Sequence, residues 1–462
     1  MNGEKEVNRL LVIGSGVASR SLIQSVKQQY PLHKITVVRK DPEQVVPCAI
    51  PYIFQRLQPE SIKISDDNWL QVGAEVLDDI VLEIDRDNKQ LHLAEEGELS
   101  YDKLIIATGA EAIRPPISGY HLNHVYTVDK NLDTLRSLYA RLEEARRVII
   151  IGGGFIGVEL ADELSRKEHL ESLHLVEAEK QILPRAFDEE VAEEVEQELG
   201  AKVRIHKEVL LQEIIGEEEV QGVLLSNGEK IPADTVICAI GVTPRSSLAK
   251  NAGLLLGNDH GIAVDDYFYT SDPNIMACGD CTSKRDQISG KLAPVRLASS
   301  AAREGILAGI NLHGRILASN PGVINNFSTK VGKTAFAAAG MREEDAQGHH
   351  YQIAVVNGVF PNRHPVKFAD VEENRVKLIF NQVDGRLLGG QVRGDNSVSE
   401  LVNLIGTGVQ QKLTVFDLVS NQYATHPLLT TGPSGYPLLK LSVEACKILG
   451  KFERSSMAEA GA

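Results

Sequence analysis

The sequence has few cysteines, a single tryptophan, no excess of positive charge and no long apolar run. The scarcity of cysteine, of positive charge and of apolar runs argues against certain classes of structure and of binding partner. The 462 residues contain five cysteines, at positions 48, 238, 278, 281 and 446. An odd number of scattered cysteines disfavours a framework of structural disulfides, so each thiol is judged separately. No apolar run approaches the roughly 20 residues of a membrane-spanning helix.

The charge balance is acidic. With 48 basic and 63 acidic residues, the net charge is −15. A field of that sign repels nucleic-acid phosphates and anionic lipids, so neither is expected as a partner. Residues 1–8 are polar and lack the apolar core of a secretory signal, which predicts a cytoplasmic protein. The length corresponds to about three globular domains.

A strand, a glycine loop and a helix open the chain. The apolar run Leu10 to Ile13 leads into Gly14-Ser-Gly16-Val-Ala-Ser19, a helical stretch and a second apolar run. Gly14 permits a tight turn, Gly16 lets the backbone approach a pyrophosphate, and the helix N-terminus offers free N–H groups. The pattern predicts a dinucleotide-binding βαβ unit with Gly14, Gly16 and Ser19 at the cofactor.

The same pattern recurs in the middle of the chain. A β-branched run ends in Gly152-Gly-Gly154-Phe-Ile-Gly157, a helical stretch follows, and the next strand ends at Glu177. An acid about 20 residues past the glycines can bind both hydroxyls of an adenine ribose. No arginine follows Glu177 to accept a 2′-phosphate, so this second unit is predicted to prefer NAD(H) over NADP(H).

Three further segments follow apolar runs and end in small residues or an acid: Ala107-Thr108-Gly109, Gly241 and Gly279-Asp280. Taken in order with the two glycine loops, they resemble the FAD-dependent pyridine nucleotide–disulfide oxidoreductases over about residues 9–448. The resemblance implies an α/β fold with two Rossmann-like dinucleotide-binding domains and an α+β C-terminal dimerisation domain. It places a discontinuous FAD domain at 1–115 and 246–322, an NAD domain at 116–245 and the dimerisation domain at 323–462.

The resemblance also implies the cofactors, FAD and NAD(H), and a homodimer. FAD belongs at the first glycine loop, with Asp280 on the ribityl chain and with Ala107, Thr108, Gly109, Gly241 and Gly279 nearby. NADH belongs at the second loop, where Phe155 stands at the position of the aromatic gate over the flavin and Glu159 completes the site. One residue departs from the family. Arg39 stands where an acid normally binds the FAD ribose, so either it contacts the adenosine in another way or it faces an anionic ligand.

Cys48 is the candidate redox residue. Its segment, Cys48-Ala-Ile-Pro51-Tyr52, resembles the single-cysteine branch of the family, which includes coenzyme A disulfide reductases, NADH oxidases and peroxidases, and sulfur or persulfide reductases. Pro51 is tolerated only in the first turn of a helix, which places the sulfur at a helix N-terminus. There a thiolate is stabilised, so a lowered pKa is expected. The alternative is a buried structural thiol.

A loop near the C-terminus carries two acid/base candidates, Tyr423 and His426. In dimeric relatives this loop reaches the partner's flavin, and Tyr423 matches a tyrosine that faces the active cysteine of coenzyme A disulfide reductases. A histidine can return a proton to a leaving thiolate near neutral pH. The coenzyme A arginine cluster is reduced to Arg20 and Lys27, which puts that substrate in doubt. The alternative for the loop is a fixed structural turn.

Cys278 and Cys281 form a lone Cys-x-x-Cys without further ligands at zinc spacing, so no metal site is predicted. Three functions then remain open. Electrons from NADH pass through FAD to Cys48 and reduce a disulfide, persulfide or polysulfide. Alternatively, the acceptor is dioxygen or peroxide. In the third, the chain is a flavin subunit that exchanges electrons between NAD and an iron–sulfur partner in a larger complex.

Overall fold

The computed structural model describes residues 9–450 except 294, 318–319, 365–367 and 370, so residues 1–8 lie outside it. Two parallel sheets with helices precede an antiparallel sheet, which confirms the predicted fold class. None of the described helices has the length and apolar composition needed to span a bilayer.

The first part of the chain contributes four strands to a parallel sheet and three to a small antiparallel one, with short 3-10 segments at Pro47–Phe54 and Pro59–Ile62. Its elements are β1 Arg9–Ile13, α1 Val17–Gln29, β2 Lys34–Arg39, α2 Asp67–Gln71, β3 Ala74–Asp78, β4 Val81–Asp85, β5 Gln90–Leu93, β6 Glu98–Ser100, β7 Lys103–Ile106 and β8 Ala110–Ala112.

The middle part builds the second parallel sheet and a three-stranded antiparallel one. Its elements are β9 Val125–Thr127, α3 Leu132–Glu144, β10 Arg147–Ile151, α4 Phe155–Leu164, β11 Ser172–Val176, α5 Glu189–Leu199, β12 Val203–His206, β13 Leu211–Gly216, β14 Val220–Leu225, β15 Lys230–Pro232, β16 Thr235–Cys238 and β17 Val242–Pro244. The parallel order is β12-β11-β10-β16-β9. The last four residues of β10 are buried, as the central strand of a sheet covered on both faces requires.

The chain then returns to the first sheet. After α6 (Ser247–Asn251), strand β18 (Ile275–Ala277) pairs in parallel with β7, which gives the order β18-β7-β1-β2-β3. Helix α7 (Ala298–Ile310) packs on α1. The first sheet therefore takes strands from both sides of the second one, as a discontinuous domain requires. The exact boundaries at 115, 245 and 322 stay predictions.

The C-terminal part is an antiparallel sheet of order β19-β20-β23-β22-β21 with helices on it. Its elements are β19 Asn326–Val331, β20 Thr334–Gly340, α8 Glu343–Gly348, β21 Ile353–Pro361, β22 Glu373–Asn381, β23 Leu387–Gly394, α9 Val398–Gln410, α10 Val415–Ser420 and α11 Pro437–Leu449. A hairpin turn joins β22 to β23, and Gly385 in this turn has a φ of 71°.

A buried lysine joins this sheet to the middle part. Lys377 of β22 lies among three carboxylates, with its Nζ 2.7 Å from Asp188 Oδ2 and in contact with Glu190 and Glu343. These three acids are the one group of possible metal ligands among the described residues. Because the ammonium of Lys377 already occupies the space between them, we expect the three acids to bind the lysine and not a metal ion.

Replacing Lys377 by Met should strongly destabilise the fold, because Asp188, whose side chain is 8% exposed, would lose its ion pair and keep only hydrogen bonds from Gln391 and from the Glu343 N–H. Losing one member of a buried pair costs about 3–5 kcal/mol. Urea unfolding measures this loss. Lys330→Met is the matched control, since Lys330 makes one exposed hydrogen bond to Asn396. An equal loss in both variants would contradict a specific role for the buried lysine.

Candidate functional site

The two predicted glycine loops have the same construction. Gly14 has a φ of 103° and a Cβ there would lie 2.4 Å from Ala107 O, while Gly152 has a φ of 106° and its Cβ would lie 2.5 Å from Ala239 O. Both positions therefore require glycine, because the left-handed backbone and the adjacent carbonyl leave no room for a side chain. Each turn places the next helix at the carboxyl end of its sheet.

The glycines that begin the two helices face open space. Gly16 precedes α1 and Gly154 precedes α4, and no described atom lies within 4 Å of a Cβ built at either. The third position differs between the loops. Gly157 allows α4 to pack closely, since a Cβ would lie 1.9 Å from Gly152 O. Ser19 instead donates its hydroxyl to Gly14 O at 2.6 Å. Both helix N-termini are thus free to bind a pyrophosphate.

The turn at Gly279-Asp280 is fixed from below by a buried ion pair. Lys284 Nζ and Glu304 Oε2 lie 2.5 Å apart, and each side chain is 2% exposed. The Gly279 N–H donates to Glu304 and the Gly279 carbonyl accepts from Lys284 Nζ. Asp280 Oδ1 is buried and has no hydrogen-bond partner among the described residues. A buried carboxylate oxygen without a donor fits the hydroxyls of a ribityl chain, so the residues present are compatible with FAD.

The small residues predicted near FAD lie where the chain crosses between the two parallel sheets. Thr108 donates its hydroxyl to Arg245 O at 2.6 Å, and the Arg245 N–H donates to Gly109 O. Gly109 and Gly241 both have positive φ, 72° and 106°. Ala107 follows β7 beside Gly14. The crossing thus lies against the first glycine loop.

Arg39 is already neutralised. It is buried at the end of β2, and its Nη1 and Nη2 bind Asp66 at 2.6 and 2.8 Å while its Nε binds Asp78 at 2.5 Å. The Arg39 hydrogen bonds also lower the pKa of Asp66. Since two carboxylates satisfy this guanidinium, we do not expect an anionic ligand beside it. The half-exposed carboxylates of Asp66 and Asp78 restore negative charge to the end of β2, where the family has an acid.

Glu177 has the geometry that ribose recognition requires. Its Oε2 accepts from the Gly153 N–H at 2.7 Å and its Oε1 accepts from the Glu179 N–H at 2.8 Å. The residue is buried at the end of β11, next to the second glycine loop. The carboxylate is therefore held rigidly, with lone pairs left for ligand hydroxyls.

Cys48 is exposed at the second residue of the 3-10 segment Pro47–Phe54, so the structure places it at a helical N-terminus of the 3-10 type. Ile50, Ile53 and Phe54 of that segment are buried in the same cluster as Val158 of α4. Just beyond the segment, Arg56 Nε binds Glu163 Oε1 of α4 at 2.7 Å. The cysteine segment is thus attached to the helix that follows the second glycine loop.

The expected lowering of the Cys48 pKa is wrong for this chain without cofactors. Desolvation raises the pKa of the thiol, the carboxylates of Glu159 and Asp280 raise it further, and the ammonium of Lys130 opposes them. Glu159 and Asp280 belong to segments remote in sequence, so the local helix argument could not include them. The charges of the predicted FAD acid and of the predicted NADH helix thus both act on the Cys48 thiol.

Three residues near this site were not predicted. Lys130 Nζ lies 3.8 Å from Asp280 Oδ2 and supplies positive charge beside Cys48. Tyr52 faces α4, where desolvation, Glu159 and Glu163 raise its pKa to about 12. Thr329 of β19 donates its hydroxyl to Glu159 Oε1 at 2.7 Å. Tyr52 lies in the cysteine motif, which gives no sign of its contact with α4. Neither a motif nor a spacing marks Lys130 or Thr329, because each acts through a tertiary contact.

Phe155, the predicted gate residue, is held by two other rings. It lies edge to face with Phe327 of β19, at a centroid distance of 4.7 Å, and 6.5 Å from Phe187. It remains only half-buried. The C-terminal sheet therefore supports the ring from one side.

Tyr423 and His426 do not meet Cys48 within the chain. Neither is among the groups that perturb the thiol. Tyr423 donates its hydroxyl to Leu418 O at 2.9 Å and stacks on Tyr436 at 4.4 Å. His426 is exposed and accepts the Leu428 N–H on its Nδ1. Their acid/base role stays a prediction.

The other four thiols are at least partly shielded from solvent. Cys238, Cys278 and Cys281 are buried, and Cys281 Sγ donates to Ile106 O at 3.4 Å. Burial raises the pKa of all three. Cys446 is half-buried. Cys48 is therefore the one exposed thiol among the described residues.

Comparison with known proteins agrees with this geometry. The model of the pyridine nucleotide-disulphide oxidoreductases matches residues 8–305, and that of their dimerisation domain matches residues 327–433. An NADH oxidase from Methanocaldococcus jannaschii is 30% identical, covering 91% of this chain and 95% of that protein. An NAD(P)H coenzyme A polysulfide/persulfide reductase from Pyrococcus horikoshii is also 30% identical, covering 85% and 89%. The structure of an NAD-dependent persulfide reductase from A. fulgidus has a TM-score of 0.87 at 28% identity, covering 96% and 84%.

The charges around Cys48 should control its reactivity in opposite directions. Only the thiolate is alkylated, so the rate with iodoacetamide at a fixed pH follows the thiol pKa. Glu159→Gln removes a charge that raises this pKa and should speed the reaction, whereas Lys130→Met should slow it. Half a pKa unit corresponds to about a threefold change. Cys48→Ser identifies the measured thiol, and equal rates in both charge variants would contradict this arrangement.

Proposed function

The chain belongs to the pyridine nucleotide-disulphide oxidoreductases, FAD-dependent enzymes that oxidise NAD(P)H, and on that basis we propose that it is an NADH-dependent reductase of sulfur substrates. Its acceptors are a disulfide, persulfide or polysulfide. The observation that carries the proposal is the position of Cys48. This exposed thiol lies on the 3-10 segment that packs on α4 of the second nucleotide unit, and the carboxylates of Glu159 on α4 and of Asp280 in the first unit both raise its pKa.

The first glycine loop and the Asp280 turn would hold FAD, and the second loop and Glu177 would hold NADH. The open faces at Gly16 and Gly154 and the unpartnered Asp280 Oδ1 support this assignment. When bound, FAD accepts a hydride from NADH and supplies an electron pair for reduction of a nearby sulfur. The chain itself positions both nucleotides and the reacting thiol.

The proposed thiol chemistry takes two steps. The Cys48 thiolate attacks one sulfur of the substrate, a new S–S bond to Cys48 forms and the substrate S–S bond breaks, which releases one thiol after protonation. Two electrons that originate from NADH then cleave the bond to Cys48, restore the thiolate and release the second thiol. NADH becomes NAD⁺, one disulfide becomes two thiols and one further proton is consumed. With a persulfide, the products are a thiol and hydrogen sulfide.

A homodimer supplies the proton donor in this proposal. The match to the dimerisation domain supports a dimer, and the loop at 421–436 then approaches the other subunit's Cys48. His426 is the better donor, because it is exposed while the Tyr423 hydroxyl is bound to Leu418 O. The free cysteines favour a reducing compartment, so we place the enzyme in the cytoplasm.

Coenzyme A is not required by this proposal. Of the two basic residues that remain from the coenzyme A cluster, Lys27 is bound through its Nζ, which donates to His33 O at 2.8 Å. Arg20 lies over the Trp69 ring at 4.8 Å, and its buried Nη2 has no hydrogen-bond partner among the described residues. The Pyrococcus horikoshii relative is named for coenzyme A and for polysulfide or persulfide. We carry only the sulfur acceptor over to this chain.

A second candidate is an NADH oxidase or peroxidase. Peroxide would oxidise the Cys48 thiol to a sulfenic acid and release one water, and NADH with one proton would supply the electrons that return the sulfenic acid to the thiol and release a second water. With dioxygen as acceptor, a further NADH and proton would first reduce it to peroxide. The name of the Methanocaldococcus jannaschii relative favours it. The iron–sulfur partner remains a third alternative, which stable co-purification of a ferredoxin-like subunit would support.

Cys48→Ser should separate these functions. The variant should still bind FAD and accept electrons from NADH, but turnover of polysulfide should fall at least 100-fold because no thiolate attacks the substrate. Anaerobic NADH titration should yield a long-wavelength absorption band only in the wild type. Oxygen consumption that exceeds polysulfide turnover in the wild type would favour the oxidase, and full polysulfide turnover by the variant would overturn the thiol mechanism.

Glu177 should determine the preference for NADH over NADPH. Glu177→Gln removes the charge that binds the ribose hydroxyls and repels a 2′-phosphate. A hydrogen bond to a charged group contributes about 1.5–3 kcal/mol, so the preference for NADH over NADPH in kcat/KM should fall at least tenfold. Steady-state kinetics with both coenzymes measures it. Glu179→Gln is the control, and an unchanged preference in Glu177→Gln would contradict the assignment.

A further inference from the structure

One strand of the C-terminal sheet runs along the helix that follows the second glycine loop. Phe327 and Thr329 are two residues apart on β19 and face the same side, while Phe155 and Glu159 are four residues apart on α4 and share one face. The rings of Phe155 and Phe327 meet at 4.7 Å, and the Thr329 hydroxyl donates to Glu159 Oε1 at 2.7 Å. Just beyond β19, the Gly332 N–H donates to Asp162 Oδ1 at 3.1 Å.

Helix α4 carries three acids close together, and they are neutralised unequally. Asp162 binds Arg166 at 2.5 Å, and Glu163 binds Arg56 at 2.7 Å. The charge of Glu159 raises the pKa of Cys48 and of Tyr52, which both belong to the 3-10 segment packed on α4. Within the described residues, no arginine, lysine or histidine forms an ion pair with Glu159. The Glu159 carboxylate accepts a hydrogen bond from the Thr329 hydroxyl.

The environment of Glu159 therefore opposes its charge in several ways and supports it in one. The pKa of Glu159 is raised to about 7, because desolvation and the charges of Glu163 and Asp162 raise it by more than the hydrogen bond from Thr329 lowers it. Thr329 is 6% exposed, so water does not compete freely for this bond. A buried hydroxyl that donates to a carboxylate stabilises the ionised form and fixes its orientation.

We propose that Thr329 is a positioning residue: its hydroxyl, supplied by the C-terminal sheet, sets the orientation and the charge of the Glu159 carboxylate beside Cys48. This inference rests on the proposed function only in taking α4 as the NADH helix. It requires no particular electron acceptor. Through this bond the C-terminal sheet acts on the nucleotide site, in addition to any role in a dimer.

Thr329→Val in the FAD-loaded enzyme tests this inference. The variant keeps the shape of the side chain and removes the donor, so the neutral form of Glu159 gains relative to the ionised form. The pH midpoint for flavin reduction by NADH should therefore move upward by about one unit. Stopped-flow measurements without any acceptor determine the midpoint, so a failure to reduce sulfur substrates leaves this test intact. Glu159→Gln identifies the midpoint, which it should abolish.

The chain offers a matched control. Thr334 of β20 donates its hydroxyl to Glu198 Oε1 of α5 at 2.6 Å, which is the same pair of groups between the same parts of the chain, but more exposed. Thr334→Val should leave the midpoint unchanged, and Thr329→Ser should restore it. A midpoint that stays in place in Thr329→Val, or moves equally in Thr334→Val, would overturn the proposal. Should Thr329→Val fold poorly, Thr329→Ala must give the same upward shift.

Discussion

The site depends on the attachment of the Cys48 segment to helix α4. Burial of Ile53 and Phe54 against Val158 and the ion pair between Arg56 and Glu163 bring together residues more than 100 positions apart in sequence. Burying a Phe or Ile side chain contributes about 1.5–3 kcal/mol to the free energy of folding. This gain offsets the unfavourable placement of charge close to the Cys48 sulfur. Without it, a thiol in a short 3-10 segment would have no defined relation to either nucleotide loop.

This attachment also sets the electrostatics at the sulfur. Desolvation and the carboxylates of Glu159 and Asp280 raise the pKa of the Cys48 thiol, and the ammonium of Lys130 lowers it. The two carboxylates come from α4 and from the turn after β18, so the reactivity of Cys48 depends on tertiary contacts as well as on its own segment.

Sequence patterns predicted the architecture well because glycine loops are local. Gly14 and Gly152 are required by positive φ and by a carbonyl next to the turn, and both constraints leave a mark in the sequence itself. The electrostatics of the site leave no such mark. The helix argument for Cys48 gave the wrong direction for its pKa, because the deciding charges come from α4 and from the turn after β18. For Arg39 the sequence left two alternatives, an anionic ligand or another contact to the adenosine, and the hydrogen bonds from Arg39 to Asp66 and Asp78 argue against the anionic ligand.

The site is complete only when distant parts of the chain have folded onto one another. Cys48, Glu159, Asp280 and Thr329 belong to four separate stretches, and the last lies in the C-terminal sheet. Lys377, held by Asp188 of the middle part, anchors that sheet at a second point. Two separated attachments define the orientation of β19 along α4 better than one, because a single contact leaves rotation about it free. A chain shortened before β19 would keep both glycine loops and still lack the hydroxyl on Glu159 and the ring under Phe155. Its nucleotide folds could then form while the charge next to the sulfur is set by water, which is why we regard the C-terminal sheet as part of the catalytic structure.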